Sequence, residues 1–130
     1  MSEPPPRTHR HIAAAFVHRL EALPLQVNKD HVVDDLIWLR TVFGEVSAFE
    51  TAVSRVREEL AALTPHSKGR ALDGRLRGWL KRRFPSGPDD TQQVMWLIFR
   101  VRRDGVELLA FGDRLRPGDF YDYADARLRL

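Results

Sequence analysis

The chain has 130 residues, the length of a single domain, and its 43% hydrophobic and 30% charged residues are typical of a globular protein. The lack of cysteine excludes a disulfide framework, a thiolate zinc site and a cysteine nucleophile, and no apolar stretch reaches the roughly 18 residues of a membrane span. The N-terminal residues also lack the basic-then-apolar order of a signal peptide, so we expect a cytoplasmic protein with no membrane partner.

Charge is distributed unevenly along the chain, although the net charge is only +3. Residues 1–66 contain 7 Lys and Arg against 9 Asp and Glu, whereas residues 67–130 contain 14 against 9. Residues 68–83 hold seven basic residues and one acid. A local excess of this kind favours a polyanionic partner, but it fits a solvated basic surface equally well.

The N-terminal part predicts one helix before the main fold. Residues 1–10 include three consecutive prolines without an apolar pattern, which predicts a disordered lead-in. Residues 11–24 predict an extra N-terminal helix, because Ile12, Phe16 and Leu20 recur at helical spacing before a proline. We expect a single domain over residues 11–130.

Two further helices follow a short candidate strand at residues 25–27. Asn28 or Asp30 is a suitable N-cap for a helix that ends near Gly44. Ser47, with a glutamate three residues later, matches a capping box at the start of the next helix. The short connection between these helices predicts an antiparallel αα-hairpin.

The second half of the chain has the period of β-strands. After a polar link at residues 66–70, residues 76–84 predict a strand with Trp79, Lys81 and Arg83 on one face. Residues 85–91 have the composition of a loop.

A hairpin and a last helix complete the predicted elements. Residues 93–101 predict a largely buried strand, and Asp104-Gly105 a tight turn into a strand at residues 106–111. Residues 119–130 predict a short helix. The order of these helices and strands along the chain predicts an α+β fold with a mostly antiparallel four-stranded sheet. The αα-hairpin covers one face of that sheet, and the other face is expected to meet solvent.

Metal and acid–base sites are poorly supported. The five histidines lie in the N-terminal half and none has a ligand-like spacing, so we predict no metal and no cofactor. The adjacent acids Asp34-Asp35, Glu58-Glu59 and Asp89-Asp90 fall on predicted helix surfaces or in a loop, where carboxylates are more often solvated than catalytic.

The strongest candidate site is basic. Lys81 and Arg83 share a strand face about 7 Å apart, and Trp79 on the same face offers a stacking platform for a base. Arg114 and Tyr121 follow the last strand, so they can lie over the same sheet. Three cations and a phenol suit a phosphodiester, although the same residues also fit a sheet face that they only solvate. The residues predicted to bind nucleic acid are Arg75, Arg77, Trp79, Lys81, Arg82, Arg83 and Arg100.

An ordered set of motifs supports this interpretation. It comprises Leu72-Asp-Gly74, Gly78-Trp-Leu-Lys-Arg-Arg83, Trp96-Leu-Ile-Phe-Arg-Val101, the run from Asp104 to Gly112-Asp-Arg114, Phe120-Tyr-Asp-Tyr-Ala124, and Arg127-Leu128. This set resembles the RelE/ParE superfamily of bacterial toxins. The resemblance covers residues 25–130 and is strongest from residue 72 onward.

The resemblance implies a catalytic group of Lys81, Arg83, Arg114 and Tyr121. By this likeness the protein is the toxin of a toxin–antitoxin pair, a metal-independent endoribonuclease that cuts messenger RNA on the translating ribosome. Arg114 then clamps the phosphate, Lys81 and Arg83 stabilise charge, and Tyr121 transfers or positions a proton.

One departure from the pattern keeps two alternatives open. Trp96 stands where many ribonuclease members have an arginine, which favours a gyrase inhibitor of the ParE type or a non-catalytic binding module on the same fold. The implied partner is a cognate antitoxin, and a homodimer is a further option. The apolar faces of the first and last helices are expected to belong to the core, or alternatively to receive the antitoxin.

Overall fold

The described part of the chain forms a five-stranded sheet with helices on both faces. The structure is a computed structural model that describes residues 8–87, 94–113 and 120–128. Its elements are α1 (His9–Leu20), β1 (Leu25–Gln26), α2 (Lys29–Val42), α3 (Val46–Ala61), β2 (Arg70–Ala71), a 3-10 turn (Gly74–Leu76), β3 (Leu80–Pro85), β4 (Val94–Arg102), β5 (Gly105–Asp113) and α4 (Phe120–Leu128).

The sheet has the strand order β1-β5-β4-β3-β2. The outer strand β1 pairs with β5 in parallel, and every other pair is antiparallel. The predicted α+β class is confirmed, but the predicted four strands become five because Arg70–Ala71 pairs with β3. Gly69 makes this pairing possible, since a Cβ there would lie 2.9 Å from the Lys81 carbonyl oxygen.

The first two helices begin at side-chain caps. Thr8 accepts a hydrogen bond from the backbone N–H of His11, so α1 begins at His9, two residues before the predicted boundary. Asn28 accepts from two backbone N–H groups of α2, which confirms it as a cap. None of the described helices is long and apolar enough to cross a membrane.

The predicted first residues of helix α3 and strand β3 are wrong. Helix α3 begins at Val46, one residue before Ser47, and among the described residues no side chain caps it, so the capping box does not form. Strand β3 begins at Leu80 rather than at residue 76. The residues before it form a 3-10 turn, and Gly78 has a φ of 95°, which breaks an extended strand.

The predicted hairpin is confirmed, with its turn one residue earlier than expected. Arg102 pairs with Gly105, which leaves Arg103 and Asp104 as the turn residues. The described part of the preceding strand starts at Val94. Residues 88–92, Gln93 and Asp119, which belong to the predicted loop, strand and helix, lie outside the described residues.

Helices α1, α2 and α3 cover one face of the sheet, as the αα-hairpin predicts. Alternate residues of the central strands point into this layer, including Leu97, Phe99 and Phe111, all fully buried. The apolar stripe of α1 lies in the same core, so it is not exposed for a partner. Its members are Ile12, Phe16 and Leu20.

The second face is covered over part of its area, which corrects the expectation of a face open to solvent. Phe120 and Ala124 of α4 pack with Leu76 of the 3-10 turn on this side of the sheet. A bulge in β5 opposite residues 98 and 99 turns both Leu109 and Ala110 toward α4. The covering is apolar and therefore part of the core.

A buried ion pair fastens α4 to the rest of the fold. Asp35 of α2 is only 1% exposed, and both its carboxylate oxygens accept hydrogen bonds from Arg127 of α4, at 2.6 and 2.9 Å. Asp35 also accepts from the backbone N–H of Phe111, while Arg127 donates to the carbonyl of Leu109. The pair thus satisfies backbone groups on the edge of β5 that β1 does not reach.

Substituting Asp35 by alanine should destabilise the fold by about 3–5 kcal/mol, because it leaves the Arg127 cation buried without its counterion. Urea unfolding followed by circular dichroism measures the loss. Asp34→Ala, at the exposed neighbouring position, is the control and should stay within about 0.5 kcal/mol of the parent. Equal effects of the two substitutions would contradict this role of the pair.

His31 lies beside the same pair, and its backbone carbonyl accepts from Arg127. Burial of the imidazole lowers the pKa of His31 below its ordinary value, and the Arg127 cation lowers it further. Since the folded state disfavours the protonated ring, the unfolded chain takes up the proton more readily below about pH 6.5. The contribution of His31 to the free energy of unfolding is therefore fully present above about pH 6.5. It is lost as the pH falls toward the lowered pKa of His31 in the folded state.

The His31→Gln variant should therefore lose less stability than the parent on acidification. The measurement is the free energy of unfolding by urea at intervals between about pH 7.5 and about pH 5.5. His66→Gln, at an exposed histidine, should keep the slope of the parent. A parental slope in His31→Gln would show that His31 does not contribute.

Candidate nucleic-acid interface

Lys81 is the centre of the candidate site. It lies on β3, on the face of the sheet opposite α1 to α3, and is only 8% exposed. Its ammonium donates a hydrogen bond of 2.6 Å to the Tyr121 hydroxyl and lies 4.2 Å from the centre of the Trp96 ring. The structure thus brings together Lys81 and Tyr121, two of the residues predicted to be catalytic.

Two exposed arginines flank Lys81. Arg70 is its partner on β2, and Arg83 follows it on β3, opposite Trp96 on β4. Directly opposed residues of antiparallel strands share a face, as do residues two apart on one strand, so both arginines lie on the same side as Lys81. We refer to Arg70, Lys81, Arg83, Trp96 and Tyr121 as the Lys81 cluster.

The charge of Lys81 is not neutralised by the described part of the chain. Its contacts there are the phenol of Tyr121 and the indole of Trp96, and it forms no ion pair with a described carboxylate. A desolvated ammonium without a counterion is costly, and two more cations are close by. The cluster therefore has the electrostatics of an anion-binding site.

Two further arginines of the basic segment are already paired with acids. Arg75 forms an ion pair with Asp125 at 3.1 Å. Arg82 points to the helix side and lies 3.3 Å from Glu59, so the structure separates it from the predicted nucleic-acid face. The exposed Arg77 has no ion pair with a described acid and follows the 3-10 turn. Arg114 lies outside the described residues, so its role as phosphate clamp stays a prediction.

Trp79 is not the open stacking platform that the sequence predicts. It is 3% exposed and packs with the core beneath α4. The Arg100 guanidinium lies 4.3 Å from the centre of its ring and is itself hydrogen-bonded to Glu107. Neither side chain is placed to stack on or read a base. Trp96, half-buried and in contact with Tyr121, is the aromatic ring of this site.

The sequence interpretation missed Arg70, which it placed in a polar link. A strand of only two residues has no periodicity to detect. The one sequence feature that indicates this short strand is Gly69, because a glycine in a strand often marks a close approach of two backbones. Here that approach pairs β2 with β3 and sets Arg70 opposite Lys81.

A cleft between the 3-10 turn and α4 leads to the other side of Tyr121. It has a volume of about 420 Å³, and its lining includes the carboxylates of Asp73, Asp122 and Asp125. Arg75 also lines the cleft but is paired with Asp125, so acids outnumber cations there and the favourable position for an anion is on the side of Arg70 and Arg83. Within the three described ranges, no three histidine or acidic side chains converge as ligands of a metal ion would.

Comparisons with known protein families, with curated proteins and with solved structures found no match. The assignment of a function therefore depends on the geometry of the Lys81 cluster and on the resemblance of the sequence motifs.

Inorganic phosphate should raise the melting temperature of the protein by binding at Lys81. At a concentration about 100 times its dissociation constant, the added stability is about 2.7 kcal/mol. Lys81→Met keeps the length of the side chain and removes its charge, so this variant should fold but lose most of the phosphate-dependent shift.

Arg103→Met, in the exposed hairpin turn, is the matched control and should respond to phosphate as the parent does. The measurement is thermal unfolding at constant ionic strength, with chloride replacing phosphate. A phosphate shift of the same size in Lys81→Met and in the parent would rule out Lys81 as the anion site.

Proposed function

We propose that the protein is a toxin of the RelE/ParE type that binds and cleaves RNA without a metal ion. The observation that carries the proposal is the buried Lys81 ammonium, hydrogen-bonded to Tyr121 and flanked by Arg70 and Arg83. This arrangement combines a binding place for a phosphate with a hydroxyl group suited to proton transfer. The order of motifs around it is the one that the toxin resemblance implies.

The reaction that suits these groups is attack of a ribose 2′-hydroxyl on the adjacent phosphorus. A bond forms between the 2′-oxygen and phosphorus, and the bond from phosphorus to the 5′-oxygen of the next nucleotide breaks. The 2′-proton leaves to water, and the 5′-oxygen needs a proton as it departs. Negative charge grows on the non-bridging oxygens, and Arg70 and Arg83 stabilise it.

In this mechanism Tyr121 donates a proton to the leaving 5′-oxygen. As its phenol gives up that proton, the Lys81 ammonium at 2.6 Å stabilises the phenolate oxygen that remains. Lys81 is held for this role by its contact with the Trp96 ring. In this mechanism Trp96 supports Lys81 and supplies an aromatic surface, in place of the arginine that many ribonuclease members have there.

A second candidate function is a non-catalytic one on the same fold, by inhibition of gyrase or by simple binding. The observation that favours it is again Trp96. Its indole packs against the Tyr121 ring at an angle of 37°, with ring centres 5.6 Å apart, and so occupies one side of the phenol ring. In this alternative the cationic face binds an anionic partner and no bond is broken.

The test is expression of the chain under tight control, followed by mapping of messenger-RNA 5′ ends in a translating extract. Cuts positioned by codon support the nuclease proposal. Intact RNA with induction of DNA-damage signalling supports gyrase inhibition, and intact RNA with normal growth supports a binding module. Either of the last two results contradicts RNA cleavage.

Single substitutions test the assigned roles. Tyr121→Phe and Arg83→Ala should each reduce the cleavage rate by about two to four orders of magnitude, because the first removes the proton and the second a stabilising charge. The same loss is expected for Arg114→Ala from the family pattern. Arg103→Ala is the control and should retain the parental rate. Activity within a few-fold of the parent would remove a residue from the site.

A further inference from the structure

We propose that the groove between α1 and α2 binds an amphipathic helix of a separate protein, with acidic residues at one end of that helix. The groove has a volume of about 570 Å³ and lies on the outside of the helical layer. The sheet separates it from the Lys81 cluster, so this surface is independent of the proposed nuclease site.

The walls and floor of the groove are apolar. Ala13, Ala14 and Val17 of α1 form one wall, and Leu36 of α2 and Phe49 of α3 contribute to the floor. The alanines leave room for large side chains of a partner to enter between the helices. A helix packs into such a groove through apolar residues spaced three and four apart.

The outer wall of the groove consists of aliphatic side chains that are unusually exposed to solvent. Val33 is 44% exposed and Ile37 is 60% exposed, one turn apart on α2. In the described part of the chain, only Tyr123 and Leu128 are comparable exposed hydrophobic residues, and both are on α4. A continuous exposed apolar stripe beside a groove is typical of a protein interaction site.

The charge at the two ends of the groove identifies the partner. At one end, Glu21 is already neutralised by an ion pair with Lys29, which joins the end of α1 to the start of α2. At the opposite end lie Arg10, in the first turn of α1, and Arg40, in the last turn of α2. Neither arginine forms an ion pair with an acid in the described ranges. Carboxylates of a bound helix would complement them.

A second copy of this chain is a poorer occupant than a separate helix. An isologous contact would place the same concave surface opposite itself and would leave the groove unfilled. The acid among the residues lining the groove, Glu21, is already paired with Lys29, so a second copy would not supply an uncompensated carboxylate to Arg10 and Arg40. Both the shape and the charge of the groove therefore favour a convex, acidic partner.

The probe is a synthetic helical peptide of about 16 residues, with leucines spaced three and four apart on one face, glutamates at one end and glutamines at the remaining positions. A matched peptide carries lysine at every glutamate position. Binding to the full chain is measured by calorimetry or fluorescence anisotropy. The glutamate peptide should bind with a dissociation constant of micromolar order, and the lysine peptide about ten-fold more weakly.

Two variants of the protein separate the apolar and charged contributions. Ile37→Asp should weaken binding of the glutamate peptide by about 30-fold, because it places a charge in the apolar wall. The Arg10→Glu and Arg40→Glu double variant should reverse the preference in favour of the lysine peptide. All three positions lie on the surface of α1 and α2, and the melting temperature of each variant verifies its fold.

Leu128→Asp, at an exposed apolar residue of α4, is the control and should bind the glutamate peptide as the parent does. No binding of either peptide, or binding that Ile37→Asp leaves unchanged, would overturn the proposal. Sedimentation that shows a dimer abolished by Ile37→Asp would assign the groove to a second copy and would equally overturn it. None of these outcomes depends on RNA cleavage.

Discussion

The bidentate ion pair between Asp35 and Arg127 is the constraint on which the arrangement of this fold depends. It lies at the edge of β5 beyond the reach of β1, where unpaired backbone groups would otherwise be exposed or buried without partners. By joining α2 to α4 across that edge, it fixes α4 against the second face of the sheet. The position of Tyr121 over Lys81 follows from it, since Tyr121 belongs to α4.

The sheet separates two surfaces of different chemistry. On one side, three helices bury an apolar core and leave a groove with an exposed aliphatic wall at Val33 and Ile37. On the other side, α4 covers only part of the sheet, and the uncovered margin along β2 and β3 carries cations that the described acids do not neutralise. Arg75, Arg82 and Arg100 form ion pairs with acids, whereas Arg70, Lys81 and Arg83 form none with a described acid. Part of the basic segment at residues 68–83 therefore forms the candidate anion-binding site around Lys81.

Local features were predictable and distant ones were not. The cap at Asn28, the alternating faces of β3 and the hairpin between β4 and β5 depend on neighbours in sequence, so local patterns predict them. Asp35 was assigned to a helix surface, because its partner Arg127 is 92 positions away and no local pattern indicates it. Trp79 was placed on an open strand face, since the sequence does not show that α4 folds back over it. The candidate site shows the same contrast between local and distant features. Sequence motifs identify Lys81 and Tyr121, whereas no motif identifies Arg70.

The parallel pairing of β1 with β5 has a consequence for biosynthesis. Leu25 pairs with Val106 in the parallel ladder, so β1 stays unpaired until β5 has left the ribosome. Contacts this distant in sequence close slowly, and α4 must dock later still. A chain synthesised only as far as β5 therefore cannot contain the contact between Lys81 and Tyr121. Any activity that depends on this contact arises only after α4 has emerged and docked, which delays its onset relative to translation of the N-terminal helices.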